Sequence, residues 1–141
     1  MNISFRYIEY NDYNKNYIQL LSQLTICENI KFGNFCNFID DLNENHLILV
    51  CEIDNKIVAS GTLLIEQKII RNFGKVGHIE DIVVDNKYNG HGIGKKLLEE
   101  LKKYAKNNNC YKVILDCRDE VINFYEKCGF SKKEFEMVLY F

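Results

Sequence analysis

The stretch GHIEDIVVDNKYNGHGIGKKLLEEL, Gly77–Leu101, decides the fold. Its first eight residues are rich in Ile and Val, as a strand requires, and are interrupted only by the acid pair Glu80-Asp81. Asn89-Gly90-His91-Gly92-Ile93-Gly94 then sets three glycines at alternating positions. Beyond them Ile93, Leu97, Leu98, Leu101, Tyr104 and Ala105 recur at the spacing of one helix face. The order is strand, glycine turn, helix. Such a turn lets backbone approach a ligand closely and points several N–H groups at it, which suits a phosphate or pyrophosphate. Spacing excludes two familiar phosphate loops. A Walker A loop needs Gly at 89 and Ser or Thr at 96, where this chain has Asn89 and Lys96. A dinucleotide fingerprint needs G-x-G-x-x-G, whereas the turn here is G-x-G-x-G.

Upstream, Ile3 to Ile8 reads as a strand, and Leu20, Leu21, Leu24 and Cys27 follow helical spacing from Tyr17. Phe35, Phe38, Ile39 and Leu42 repeat that spacing. Leu47 to Ile53 and Lys56 to Glu66 are β-rich runs separated by Asp54-Asn55, residues that tolerate the positive φ of a tight hairpin. Downstream, Val113 to Leu115 forms a short strand, and Val121, Phe124 and Tyr125 start a helix that Gly129 caps in a left-handed conformation. Phe135 to Tyr140 is expected to be a last strand. These elements predict an α/β fold: a mixed sheet with helices on both faces, in one domain over residues 1–141.

With 141 residues, 47% hydrophobic and 27% charged, the chain is long enough to bury a core without metal or disulfide staples and is neither disordered nor collagen-like. A net charge of -2 offers no basic field for nucleic acid. The six cysteines contain no C-x-x-C pair, and His46, His78 and His91 lack paired ligand spacing, so no metal site is expected. Cys117 and Cys128 read as buried small apolar side chains. The N-terminus has no signal-like apolar region, and no apolar run approaches the roughly 18 residues of a membrane span. The expectation is a reduced, cytoplasmic protein with no membrane partner.

The glycine turn with its flanking runs, Gly77 to Val84, Cys110 to Cys117 and Asn123 to Phe130, resembles the GNAT acetyltransferase superfamily, and within it the glucosamine-6-phosphate N-acetyltransferase family. The resemblance is close from Lys68 to Met137 and extends as pattern over the N-terminal half. It implies a GNAT fold with a mostly antiparallel mixed sheet, acetyl-CoA as cosubstrate, and a homodimer. It also implies acetyl transfer to the 2-amino group of glucosamine 6-phosphate, a step toward UDP-N-acetylglucosamine. The same coenzyme loop would serve a GNAT enzyme acting on another small amine or a protein amine.

The resemblance carries residue roles. Ile82, Val83 and Val84 would pair with pantetheine, and Asn89, Gly90, His91, Gly92, Ile93, Gly94 and Lys95 would hold the coenzyme pyrophosphate. Acyl transfer to an amine needs a neutral amine, a polarised thioester carbonyl and a proton for the departing thiolate. Glu80 and Asp116 match carboxylates that contact or deprotonate the amine, and Tyr125 matches the tyrosine that protonates the thiolate. Asp81, Thr25, Lys68, Arg71, Tyr111 and Lys112 match substrate-binding positions. The chain departs from the pattern at Asn89, where Gln or Arg is usual, at Val121, and at Tyr140, where a sugar-phosphate Arg is typical.

Overall fold

The computed structural model describes residues 1–141. Five strands form one sheet in chain order: β1 (Phe5–Tyr7), β2 (His46–Ile53), β3 (Lys56–Gln67), β4 (Lys75–Val84) and β5 (Cys110–Ile114). The first three pairings are antiparallel and β4–β5 is parallel. The β2–β3 hairpin is as short as expected because Asp54 and Asn55 both take positive φ, 50° and 62°. A parallel pair cannot be joined by a hairpin, so the chain returns through the crossover helix α4 (Ile93–Asn107). The other helices are α1 (Tyr17–Ser22), α2 (Phe32–Asp40), the single turn α3 (Ile70–Phe73) and α5 (Ile122–Lys127).

Strand alternation sorts the core into two layers. Leu47, Leu49, Cys51, Leu63 and Ile79 pack against Leu97, Leu98, Leu101 and Ala105 of α4. Ile48, Val50, Ile57 and Val83, pointing the other way, meet Tyr17 and Leu20 of α1 and Phe35 of α2. A strand covered on both faces reads as an unbroken apolar run, and Leu47 through Cys51 are all buried. Helices therefore lie on both faces, as predicted.

The N-terminal strand is tied down by charge. Asp12 is fully buried and accepts two bonds from the Arg6 guanidinium, at 2.9 and 2.7 Å, and one from the Glu9 N–H at 2.8 Å. Arg6 also donates to Glu52 on β2 at 2.6 Å, and Lys15 reaches the same carboxylate at 2.9 Å. The bond to Asp12 holds the Arg6 pKa above its ordinary value, and Lys15 and Arg6 pull the Glu52 carboxyl below its own.

Three expectations need correction. Helix α1 ends at Ser22 and does not reach Leu24 or Cys27, because the Ser22 hydroxyl lies 2.9 Å from the Ile18 carbonyl and 2.8 Å from that of Cys27 and turns the chain. Of the pair expected to be buried, Cys128 is but Cys117 is exposed, since β5 stops at Ile114 and leaves Cys117 on an open connection. Phe135 to Tyr140 joins no strand of its own chain. Phe135 is 90% and Tyr140 87% exposed, and a cavity of about 390 Å³ separates Lys112–Cys117 from Phe130–Glu136.

Asp12→Ala would leave Arg6 paired with Glu52 alone at short range and the Glu9 N–H without its acceptor. We expect it to lower unfolding stability by about 1 to 3 kcal/mol, the usual cost of leaving buried hydrogen-bonding groups unsatisfied. A urea titration would measure this, and a loss below about 1 kcal/mol would reduce the network to a surface feature.

Candidate active site

The two parallel strands part company. Pairing runs from Lys75↔Cys110 to His78↔Ile114 and stops there, while β4 continues to Val84 with only β3 beside it. The outer edge of Ile79–Val84 is therefore open, with backbone groups available to an extended ligand. Ile82, Val83 and Val84 lie on this stretch.

A bulge reshapes the same stretch. Thr62 pairs with Glu80 and Ser60 with Val83, so Gly61 faces two residues, Asp81 and Ile82. Asp81 sits in the left-handed region at φ 52°. A side-chain carbon at Gly61 would meet Ile82 Cδ1 at 2.7 Å and Leu101 Cδ1 at 3.0 Å. Only glycine lets the bulge close against α4.

The glycine turn follows. Gly90 and Gly92 take φ 81° and 77°, and a side chain at either would meet nothing within 4 Å. Backbone conformation, not crowding, calls for glycine there, and the space before the turn stays open. Gly94 differs: a side-chain carbon would meet Phe124 Cζ at 3.2 Å, so it serves the packing of α4 on α5. No side chain caps the start of α4, leaving first-turn N–H groups for an anion, with Lys95 beside them. His91 Nδ1 lies 3.0 and 3.1 Å from the carbonyls of Tyr88 and Asn89, which can only accept, so this nitrogen carries the proton. His91 thereby braces the turn, and Asn89 supplies backbone to it.

On the sheet face away from α4, cross-strand partners form rows. Glu66, Val76 and Lys112 make one; Leu64, His78 and Ile114 make the next; Thr62 and Glu80 begin the third, and Asp116, two residues beyond Ile114, follows on the β5 side. Partial burial, then the neighbouring charges of Asp81 and Asp116, holds the Glu80 carboxyl above its ordinary range, with His78 opposing the shift. Helix α5 brings Tyr125 to the same end. Its C-terminus is closed by Gly129 at φ 94°, with bonds from Gly129 N–H to Glu126 and from Phe130 N–H to Tyr125. Tyr125 packs edge-on against Phe124 and Phe130, and burial raises its pKa, keeping the phenol protonated near neutrality. Asp116 and Tyr125 line the 390 Å³ cavity beside β5.

Four other predicted substrate residues gather elsewhere. Arg71 stacks on the Tyr111 ring, 4.7 Å from its centre, and Lys112 lies 5.7 Å from the same ring. Arg71, Asn72 and Phe73 all have φ near 60°, and a carbon at Gly74 would lie 2.8 Å from Tyr111. Lys68, tied to Gly74 by backbone, pairs with Glu66 at 3.2 Å. This cationic cluster is at the start of β4 and β5, five residues from Glu80 on one strand and Asp116 on the other, or about 16 Å at 3.3 Å per residue. A hexosamine phosphate is much shorter. Within one chain the predicted substrate residues therefore form two clusters and not one. Thr25 lies in the exposed turn after α1, whose end is fastened to the end of β4 by Gln23, which donates to Asp85 at 3.4 Å and accepts from the Asn86 N–H at 3.0 Å.

Sequence reading missed Gly61, Gln23 and the Glu66–His78 pair. Gly61 carried a signal, a glycine inside a strand, which marks a bulge or close approach. Gln23 carried none. No three His, Cys, Asp or Glu side chains are grouped so as to hold a metal ion.

Comparison with known proteins gives concordant results. Residues 9–130 match the acetyltransferase (GNAT) family. The chain is 43% identical to the glucosamine 6-phosphate N-acetyltransferase of Arabidopsis thaliana over 141 residues, 96% of this chain and 95% of that protein. It is 43% identical to glucosamine 6-phosphate N-acetyltransferase 1 of Dictyostelium discoideum, covering 98% of this chain and 90% of that one. The crystal structure of the Arabidopsis enzyme superposes with a TM-score of 0.97 at 42% identity, covering 100% of this chain and 99% of that one.

If the bulge depends on the left-handed Asp81, Asp81→Gly should be at least as stable as wild type. Asp81→Ala should be about 1 kcal/mol less stable than Asp81→Gly, the order of the cost of that conformation for a residue with a side chain. Paired denaturant titrations would decide, and equal stability of the two variants would remove strain from the account of this site.

Proposed function

The chain belongs to the acetyltransferase (GNAT) family, and from that premise we propose how its residues divide the work. Its activity is transfer of an acetyl group from acetyl-CoA to glucosamine 6-phosphate. The observation that carries this is the match at 43% identity over nearly the full length of proteins with that activity.

The open edge of Ile82–Val84 suits the amide-bearing pantetheine arm, and Asn89–Lys95 suits the pyrophosphate through the uncapped start of α4. When bound, the thioester supplies the acetyl group. Glu80, with its raised pKa, takes the proton from the incoming ammonium, and Asp116 holds the amine facing the thioester. Asp81, at the bulge, lines the sugar's place and turns backbone N–H groups toward the carbonyl. Tyr125, still protonated near neutrality, gives its proton to the leaving thiolate, and the proton lost from the newly acylated nitrogen restores the phenol. This direct transfer asks for no metal.

The phosphate belongs with Lys68, Arg71, Tyr111 and Lys112, where one ring carries two cations. Because that cluster is about 16 Å from Glu80 within a chain, we assign it to the site of a second copy. The exposed apolar tail supports a homodimer: Phe135, Met137, Leu139 and Tyr140 are uncovered beside an open β5 edge, an arrangement that a second chain would cover. Tyr140 then contributes at most a neutral hydrogen bond, leaving the charge to Arg71 and Lys68. Thr25 approaches from the end of α1. Residues 1–141 act as one domain. No helix is long and apolar enough to cross a membrane, and six unpaired cysteines favour a reducing, cytoplasmic setting.

A thiol-release assay with acetyl-CoA should show strong preference for glucosamine 6-phosphate over glucosamine and unrelated amines; equal use of all would favour another amine as the substrate. Tyr125→Phe should lower kcat about 100-fold, the low end for loss of a general acid followed by a good leaving group. An unchanged kcat with chemistry rate-limiting would assign the ring to packing alone. Mixing and refolding Arg71→Ala with Tyr125→Phe chains should restore about a quarter of wild-type activity by random pairing, because each heterodimer has one intact site. No recovery in a mixture that does form dimers would return Arg71 to its own chain's site.

A further inference from the structure

The stretch of chain that carries Asp116 and Tyr125 has one side-chain hydrogen bond to hold it. Among residues 110–141 that bond comes from outside: Lys102 of α4 donates from Nζ to the Cys128 carbonyl at 2.7 Å. Cys128 closes α5, and its own N–H donates to the Tyr125 carbonyl at 3.0 Å. The Lys102 ammonium also lies 5.8 Å from the centre of the Phe130 ring, and Phe130 packs edge-on against the Tyr125 ring with centres 6.0 Å apart. Lys102 thus reaches Tyr125 by two routes, one through backbone and one through aromatic packing.

Helix α5 depends on such ties. It has six residues, too few for a helix to stand alone in water, and no side chain caps its start at Val121. Helix α4 holds it at two points. Gly94 leaves room for Phe124, and Lys102 stands over the far end, with Nζ also the nearest atom to a side-chain carbon built at Gly129, 3.9 Å away. A cation there meets free carbonyls and the negative end of the helix dipole. Lys102 is 28% exposed, and Glu99 on the same helix holds the ammonium at 2.7 Å. The reaction gives this clamp a use, because a proton donor must come within about 2.6 to 3.2 Å of its acceptor, and a displacement of about 1 Å can cost a hundredfold in rate.

We propose that Lys102 is a positioning residue for the general acid. By fastening the end of α5 to α4 it holds Tyr125 where the phenol meets the leaving thiolate. Lys102 acts through Cys128 and Phe130 and not on the reacting atoms. Its role rests on the site reading above, in which Tyr125 protonates the thiolate.

The test is a double-mutant cycle on kcat with acetyl-CoA and glucosamine 6-phosphate, comparing wild type, Lys102→Met, Tyr125→Phe and the pair where chemistry limits the rate. Methionine keeps a long apolar stem beside Phe130 but has nothing to donate. We expect Lys102→Met to lower kcat about tenfold, less than the hundredfold of a full 1 Å displacement. The KM for glucosamine 6-phosphate and the affinity for coenzyme A should stay within about twofold of wild type, since neither binding step uses Tyr125. In the Tyr125→Phe background the same substitution should change kcat by less than about twofold, because the group it positions is already gone. Lys102→Arg, which keeps a donor, should recover most of the loss. Equal losses in the two backgrounds, or a wild-type kcat in Lys102→Met, would overturn the proposal and leave Lys102 a general support of the fold. An unchanged kcat in Tyr125→Phe would instead overturn the site reading from which it starts.

Discussion

The parting of β4 from β5 is the constraint on which the rest of the structure depends. Two parallel strands share four pairs and then separate, and the unpaired edge of β4 must find its hydrogen bonds elsewhere. In a sheet buried on both faces this would be a costly defect; beside a ligand groove it is a docking edge. The crossover helix α4 makes it possible. Its apolar face of Ile93, Leu97, Leu98 and Leu101 holds β3 and β4 from one side, so neither strand needs β5 along its whole length. The same helix begins at the glycine turn, so one element both braces the parted strands and presents its free N–H groups at their open end.

The bulge at Asp81 is the local counterpart of that constraint. It inserts one extra residue where the edge opens, and it closes only because Gly61 has no side chain to collide with Ile82. Left-handed backbone occurs at Asp81, and again at Arg71 to Phe73, the two places where the chain presents charge. Elsewhere it is confined to turns and helix ends, most of it at Asn and Gly.

Charge is laid out along the sheet with a polarity. Acids collect at the open end and cations at the β3–β4 turn, joined by the line of Glu66 and His78 between them. A layout of this kind keeps the cationic side chains apart from the carboxylates, next to an uncovered apolar tail.

Local pattern was enough for much of this. The apolar, β-rich runs of β2 and β3, the Asp54-Asn55 turn, the helical spacing of α4, the Gly129 cap and the glycine turn are governed by neighbours in sequence, and each lies where the residues indicated. Glu80, Asp116 and Tyr125 could be singled out as candidates because the motifs that carry the family resemblance sit directly beside those elements. What local pattern could not decide was anything that depends on a partner distant in sequence. Whether Phe135 to Tyr140 forms a strand depends on pairing with an edge, and in this chain a cavity lies between it and the open edge of β5. Whether Lys68 and Arg71 share a site with Glu80 depends on the length of β4, which holds them about 16 Å apart. The need for glycine at 61 and the pairing of His78 arise from contacts across the sheet, with Ile82 and Glu66 respectively. Amino-acid order determined the elements and the chemical groups; strand register, a long-range property, decided which of those groups meet.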